Sequence, residues 1–363
     1  MSAIKILVTG VGGYWGEHVA QSLAKQPFYH VMGLDTVAPK EPIPGLDFIQ
    51  ADICNPLLVD LFKSEQVKIV CHLAFKESIR PSESTFDHNV MGTMKVLGAC
   101  VESGVEKIIL RSSIAVYGAK ALNSAYLTEE APLAGSRAYG SIRDLLEIEA
   151  FCNGFRGQYP EKVLTVLRFA NIIGPSVDSP MTKFLRERLS PSLLGFDPMM
   201  QLIHEDDVVN SILHSIENDF SGAYNVAAQD LLPLSKVIGL AGKTRFPVFH
   251  PFAYWGYSMI GGSGLRLSRH IPIELDYIRY RCVGDIKKMQ EVFQYDLTIT
   301  AEEALREFSE LNHEKRYLPE AVSGAAEVDN FKRIIERRSQ NISPQKEEPL
   351  AENVEGMEGN YHE

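Results

Sequence analysis

Short apolar runs of strand length recur through the first half of the chain, at residues 4–8, 30–34, 47–51, 67–73, 107–110 and 163–169. The first, with Ile4, Ile6, Leu7 and Val8, is rich in β-branched residues and stops at a glycine cluster, as a strand buried on both faces does. Stretches of helical length separate the runs, at 18–25, 56–65, 82–103 and 138–155. This alternation, with short connections, predicts an α/β protein built on a doubly wound parallel sheet of six strands. A ligand crevice is expected at the carboxyl ends of such strands. Gly10, Asp35, Asp52, Ala74, Ser113 and Asn171 all fall there.

The first turn carries the clearest chemistry. Gly10, Gly13 and Gly16 follow the opening strand at three-residue spacing, with Tyr14 and Trp15 between the last two. Strand, glycine turn and helix together hold a dinucleotide pyrophosphate. Glycine lets backbone approach the phosphates, and the helix N-terminus offers unpaired N–H donors and partial positive charge. Asp35 ends the next run, about 20 residues after the turn, where a carboxylate binds the adenosine ribose hydroxyls. An acid there repels a 2′-phosphate, and Thr36 rather than arginine follows it, so NAD is expected over NADP.

From residue 174 the pattern loosens around Pro175, Pro180, Pro191 and Pro198. Short strands at 200–203 and 223–227, a helix at 205–217 and closing helices at 285–293 and 301–310 predict a smaller second lobe. From His313 the chain is charged, with a helix expected at 328–338. Beyond Lys346, six glutamates occur without Lys or Arg, the composition of a disordered acidic tail. The expected division is 1–175, a dinucleotide-binding domain; 176–312, a substrate-binding lobe; and 313–363, a charged tail.

Composition narrows the partners. A formal charge of −11 argues against nucleic acid or an anionic membrane as a ligand. The five cysteines lack CxxC spacing, so they read as buried thiols in a reducing cytoplasm rather than disulfides or a zinc site. No apolar run reaches the length of a membrane span; 247–261 comes nearest, interrupted by His250 and glycines. The opening strand leaves no room for a charged n-region, so no signal peptide is expected.

Taken in order, the chain reads TGVGGYWG at 9–16, then Asp35, ADI at 51–53, HLA at 72–74, NVMGT at 89–93, SSIAVYG at 112–118, Tyr139-Gly140-Ser141, LRFANIIGP at 167–175, LIHEDDVV at 202–209, GAYNVA at 222–227 and DIKKMQEVF at 285–293. In this it resembles the extended short-chain dehydrogenase/reductases of the NAD-dependent epimerase/dehydratase family, of which UDP-glucose 4-epimerase is a familiar member. The resemblance covers about residues 4–310. It implies a Rossmann domain and an NAD cofactor held by Gly10, Gly13, Tyr14, Trp15, Gly16 and Asp35. By the same resemblance Asp52 and Ile53 flank the adenine, Leu73 and Ala74 pass beside the ribose and pyrophosphate, and Asn89 braces the sheet edge. Ser113 and Tyr139 match the catalytic pair, Asn171 lies near the substrate, and a homodimer formed by the helices at 82–103 and 138–155 is implied. The chemistry is consistent with this: hydride transfer at an alcohol carbon needs a group to take the hydroxyl proton, and a tyrosinate near a cation can do so. A serine hydroxyl would hydrogen-bond the developing carbonyl.

One position departs from the pattern. The family's Tyr-x-x-x-Lys reads Tyr139-Gly140-Ser141-Ile142-Arg143. Arg143 keeps the charge one helical turn from the tyrosine and is able to donate to the nicotinamide ribose, but it stays protonated and cannot relay a proton. Three readings follow: arginine substitutes for lysine, the chemistry is weakened or altered, or the cofactor binds without turnover. Arg168 reads as a structural ion-pair partner and His72 as a packed strand-end histidine. His204, Glu205, Asp206 and Asp207 have metal-ligand types, but the same text marks a strand-to-helix return, so no metal is expected. The aromatic stretch 246–260 reads as lobe core, a dimer contact or a lipophilic substrate site. The favoured expectation is an epimerase or dehydratase acting on a nucleotide sugar by transient hydride transfer. The alternatives are an NAD-dependent dehydrogenase of a lipophilic, sterol- or terpenoid-like alcohol, and a non-catalytic NAD-binding sensor or scaffold.

Overall fold

Adjacent apolar side chains, as in Ile6-Leu7-Val8, point to opposite faces of a strand, so both faces need cover. The computed structural model describes residues 3–187, 189–249 and 273–317 and shows the sheet that provides it. Its first half runs β1 (Ile4–Thr9), α1 (Tyr14–Ala24), β2 (Tyr29–Asp35), β3 (Leu46–Gln50), α2 (Leu58–Glu65) and β4 (Ile69–His72), then α3 (Glu83–Phe86), α4 (Gly92–Ser103), β5 (Lys107–Ser113), α5 (Gly140–Gln158) and β6 (Val163–Phe169). There follow β7 (Asn171–Ile173), α6 (Pro180–Arg186), β8 (Leu189–Leu193), β9 (Met199–His204), α7 (Glu205–Glu217), β10 (Gly222–Val226), β11 (Leu231–Pro233), α8 (Leu234–Leu240) and β12 (Thr244–Val248). The central sheet has the order β3-β2-β1-β4-β5-β6-β10, and every pair in it is parallel. Ile6, Val8 and Ile109 face one core with α1 and α7; Leu7, Val70 and Ile108 face another with α2, α4 and α5.

Seven strands form this sheet rather than six. The segment at 223–227, expected in the second lobe, returns as β10 beside β6, and α7 packs on α1. Val226 and Ala227 have no exposed surface in that place. The division expected at residue 175 is therefore crossed by the chain in both directions. The remaining lobe pairs β7, β9 and β11 in one sheet and β8 with β12 in another, around a core that includes Phe184, Leu202, Val237, Leu305 and Phe308.

The helix expected at 82–103 is also divided. A π turn, Asp87–Met91, separates α3 from α4 and carries Asn89 inward. Such turns often mark functional sites. The helix expected at 285–293 is shorter, Lys287–Glu291, and the one expected at 301–310 runs on to Tyr317. The helix at 328–338, most of the charged tail and the aromatic stretch from residue 250 lie outside the described residues.

Packing at the first turn is tight enough to be tested. A Cβ on Gly16 would lie 2.1 Å from the Gly10 carbonyl oxygen, backbone that cannot move without separating α1 from β1. Gly239, in α8, has nothing within 4 Å of such a Cβ. Gly16→Ala is expected to destabilise by at least about 2 kcal/mol, whereas Gly239→Ala should be neutral or stabilising by up to about 0.5 kcal/mol. Urea unfolding of both variants checks the contrast; equal effects would contradict the packing argument.

Candidate active site

The dinucleotide cradle is assembled from the ends of β1, β2 and β4. Gly10 turns with φ +79°, and a Cβ there would sit 2.6 Å from the Ala74 amide, so the chain beyond β4 passes directly against the glycine. Gly13 begins α1 and no side chain caps its N-terminus, which leaves the first N–H groups of an 11-residue helix for an anion. Asp35 stands at the tip of β2. Its carboxylate accepts from the Gly12 N–H at 3.0 Å and the Val37 N–H at 3.2 Å, so it also holds the turn in shape. Asp52 accepts from the Cys54 N–H at 2.7 Å, and Ile53 is buried. Asp35 and Asp52 both act electrostatically on His88, whose pKa burial lowers and these acids oppose. An uncapped helix start, a glycine approach and an acid at the neighbouring strand tip suit a dinucleotide.

The two aromatic residues of the turn diverge. The Tyr14 hydroxyl is drawn toward Glu205 on α7; burial first, and that carboxylate second, raise its pKa well above the ordinary tyrosine value. The Tyr14 side chain thus ties α1 to α7. Trp15 turns the other way and lines the cleft described below.

Beneath Leu73 and Ala74 lies a directed chain of hydrogen bonds. Thr93 Oγ1 donates to the Asn89 carbonyl at 2.5 Å and so accepts from His72 Nε2 at 3.0 Å. His72 Nδ1 then accepts from Thr9 Oγ1 at 2.7 Å, and Thr9 Oγ1 accepts the Leu73 and Ala74 amides at 3.2 and 3.3 Å. Every group is used with His72 neutral. Burial, aided by His88, pushes its pKa down to about 3. The ring is structural and offers no general base.

Asn89 works as a brace. Its amide accepts from the Lys76 N–H at 2.8 Å and donates to the Lys76 carbonyl at 2.9 Å and to Asp144 Oδ2 at 2.9 Å. Asp144 is fully buried on α5, and its other oxygen accepts from Arg143 Nε and Nη2 at 2.9 and 2.7 Å. Arg143 also donates to the Ser82 carbonyl at 2.9 Å and lies over the Phe86 ring. Its head group is therefore engaged on the α3 side of α5. The structure does not bring Arg143 into the lining of the cleft that holds Tyr139.

That cleft, of about 350 Å³, opens between the ends of β5, β6 and β7, the start of α5 and the segment at 273–277. It brings together Trp15, Ser113, Tyr139, Asn171 and Lys183, together with Arg111 and Glu77, which the sequence reading had not singled out. Ser113 ends β5, and its hydroxyl accepts from the Ala115 N–H at 3.2 Å. Tyr139 is half-buried and precedes α5, whose first amides, Gly140 and Ser141, donate to the Ile79 and Ser78 carbonyls at 3.0 and 2.9 Å. Asn171 donates to the Gln201 carbonyl at 3.0 Å. Tyr277 donates to the Ala115 carbonyl at 2.5 Å, and burial keeps its pKa high. Arg111 was legible in principle: it is the one charged residue inside the apolar run after Lys107, two positions before Ser113 and hence on the same strand face.

The remaining candidates are occupied structurally. Arg168 and Glu149 are each about 2% exposed and form a bidentate pair, with Arg168 Nη2 2.5 Å from Glu149 Oε2. His204 caps α7 by accepting the Asp206 N–H at 3.2 Å, and Glu205 accepts the Ser176 and Val177 amides at 3.1 and 2.6 Å. Among the described residues no cluster of three His, Cys, Asp or Glu could hold a metal ion.

A glycine turn whose Trp15 also lines a cleft with Ser113 and Tyr139 fits a dinucleotide-dependent enzyme. Residues 6–227 match the NAD dependent epimerase/dehydratase family. The chain belongs to that family, and its cofactor is NAD. Over 318 residues it is 29% identical to an uncharacterized protein of Mycobacterium tuberculosis, covering 84% of this chain and 82% of that one. It is 31% identical over 185 residues to UDP-glucose 4-epimerase of Lactobacillus helveticus, covering 48% and 54%. The chain thus spans about half the length of that epimerase. The fold is similar to that of UDP-glucose 4-epimerase from Thermotoga maritima with UDP-glucose, at TM-score 0.66 and 19% identity, covering 86% and 100%. No helix among the described residues is long and apolar enough to cross a membrane.

The His72 geometry sets an acid limit on stability. Its folded pKa lies below the unfolded value of about 6.5, so its contribution is complete above that pH and is lost as pH falls toward about 3. Urea unfolding between pH 7 and pH 3 should show a steeper loss in the wild type than in His72→Gln, by a few kcal/mol over the interval. Parallel curves would contradict the assignment.

Proposed function

We propose that the protein interconverts or dehydrates a nucleotide sugar, with Tyr139 and Ser113 as the reacting pair. The observation that carries this is the sharing of Trp15: the residue belongs to the first turn of α1 and also lines the cleft with Ser113, Tyr139 and Asn171. Cofactor cradle and hydroxyl chemistry are thus neighbours. In this reading Gly10, Gly13 and Gly16 with the N-terminus of α1 bind the pyrophosphate, and Asp35 binds the adenosine ribose. NAD, when bound, supplies the acceptor and later the donor of a hydride. Tyr139 takes the proton of the sugar hydroxyl and returns it, and Ser113 Oγ hydrogen-bonds the carbonyl oxygen as it forms. Asn171 orients the sugar. Arg143, engaged with Asp144, holds the start of α5 rather than touching substrate. Homodimerisation through the outer faces of α4 and α5, and a cytoplasmic location suited to five cysteines without disulfides, belong to the same reading.

One observation favours a second reading, an NAD-binding protein without turnover: the head group of Arg143 is committed to Asp144 and the Ser82 carbonyl, away from the cleft. Denaturing the purified protein and identifying the released molecules by mass spectrometry separates the two. Retained NAD with a UDP-sugar supports recycling catalysis. NAD with no hydride transfer to any nucleotide sugar supports the second reading.

Two substitutions test the roles. Tyr139→Phe should lower kcat by roughly 10²–10⁴-fold with NAD binding kept. Arg143→Lys should retain activity within about tenfold, because an ammonium still reaches one Asp144 oxygen. A far larger loss in Arg143→Lys would mean that the planar fork is itself required.

A further inference from the structure

We propose that Arg111 determines specificity in the cleft by binding a carboxylate of the substrate, so that the sugar of the nucleotide sugar is a uronate. The proposal rests on the nucleotide-sugar reading above. Arg111 lines the cleft, where Glu77 is its ion-pair partner. Its Nε is fully buried without a partner. Glu77 meets Nη2 in a long ion pair at 3.7 Å and opposes the lowering of the guanidinium pKa by burial. The guanidinium is gripped between two rings, 5.8 Å from the Trp15 centroid and 5.7 Å from that of Phe75. Its side chain is only 14% exposed. A cation held largely out of water, with Nε unpaired and only a long ion pair to one acid, is costly unless a ligand completes it.

The surrounding charges indicate which ligand. Glu77, Lys183 and Glu274 also line the cleft. Lys183 already pairs with Asp178 at 3.1 Å. Burial raises the Glu274 carboxyl, although Ser136 opposes this by hydrogen bonding. A dianionic phosphate beside Arg111 would meet two carboxyl groups with one guanidinium that Glu77 already pairs. A planar monoanion brings less charge beside those acids and matches the fork geometry. Position agrees: two residues along a strand set Arg111 about 7 Å from Ser113, the scale of one sugar ring.

The test titrates the full chain, with NAD present, by calorimetry against UDP-glucuronic acid, UDP-glucose and UDP. The wild type should bind the glucuronic acid compound at least about tenfold more tightly than UDP-glucose, as one charge-assisted pair provides. Arg111→Met should abolish that ratio while leaving UDP-glucose and UDP nearly unchanged, an outcome a purely structural arginine would not produce. Arg111→Lys, which keeps the charge, should retain part of the ratio and decides the matter if the methionine variant does not fold. Equal wild-type affinities for the two sugars overturn the proposal and leave the nucleotide-sugar reading standing. So does an equal weakening of UDP in Arg111→Met, which would mean that Arg111 reads the diphosphate. If neither sugar nor UDP binds, the nucleotide-sugar reading fails, and this proposal with it.

Discussion

The geometry of the cleft depends on a buried ion pair beneath it. Arg168, on β6, meets Glu149, on α5, through Nε and Nη2, and Ser112 on β5 donates to the same carboxylate at 2.5 Å. Arg168 Nη1 reaches the Tyr117 hydroxyl, which donates to Asn225 on β10 at 2.8 Å. Burial works against the guanidinium's charge, and the Glu149 hydrogen bonds outweigh it, raising its pKa. One interior cluster therefore joins three neighbouring strands and the helix that starts at Tyr139. Breaking such a pair leaves an uncompensated charge in the interior, at a cost of about 3–5 kcal/mol. Because Ser112 belongs to the cluster, the next residue, Ser113, is fixed at the strand end, with Tyr139 held by the same helix.

A second network fixes the other side of that helix. Lys76, Asn89, Asp144 and Arg143 run from the loop after β4 through the π turn to α5. The π turn is what aims Asn89 inward; a regular helix through 87–91 would carry the side chain round its axis by a further fraction of a turn. In this arrangement arginine suits position 143 as a structural donor with several N–H groups. The cations that line the cleft are Arg111, two residues before Ser113, and Lys183 on α6. Positive charge thus enters the cleft from elements other than α5.

Much of the site was legible in the chain because it uses residues with special backbone demands. Gly10 and Gly16 are required by approaches of 2.6 and 2.1 Å that any Cβ would block. Asp35 sits where the next strand ends, and Ser113 and Tyr139 sit at an element's end and start. Each position follows from counting along one βα unit. Arg111, Glu77 and Lys183 were not legible as a group, since they come from β5, the loop after β4 and α6, and only folding brings them to one cavity. Tyr14 shows the same limit: its place in the turn is local, but Glu205, which draws its hydroxyl away, is far along the chain.

The fold divides in the same way. Hydrophobic runs and their spacing determined the strands from β1 to β6 and most helices, because burial on two faces imposes a local pattern of side chains; the family was legible only from its motifs. That β10 closes the sheet beside β6 and that α7 covers α1 were decided by tertiary structure. A short apolar strand such as Gly222–Val226 is equally apolar in either lobe, and only the unpaired edge of β6 selects its place. The direction in which Arg143 points was decided likewise, by a buried aspartate one residue away and a carbonyl 61 residues distant.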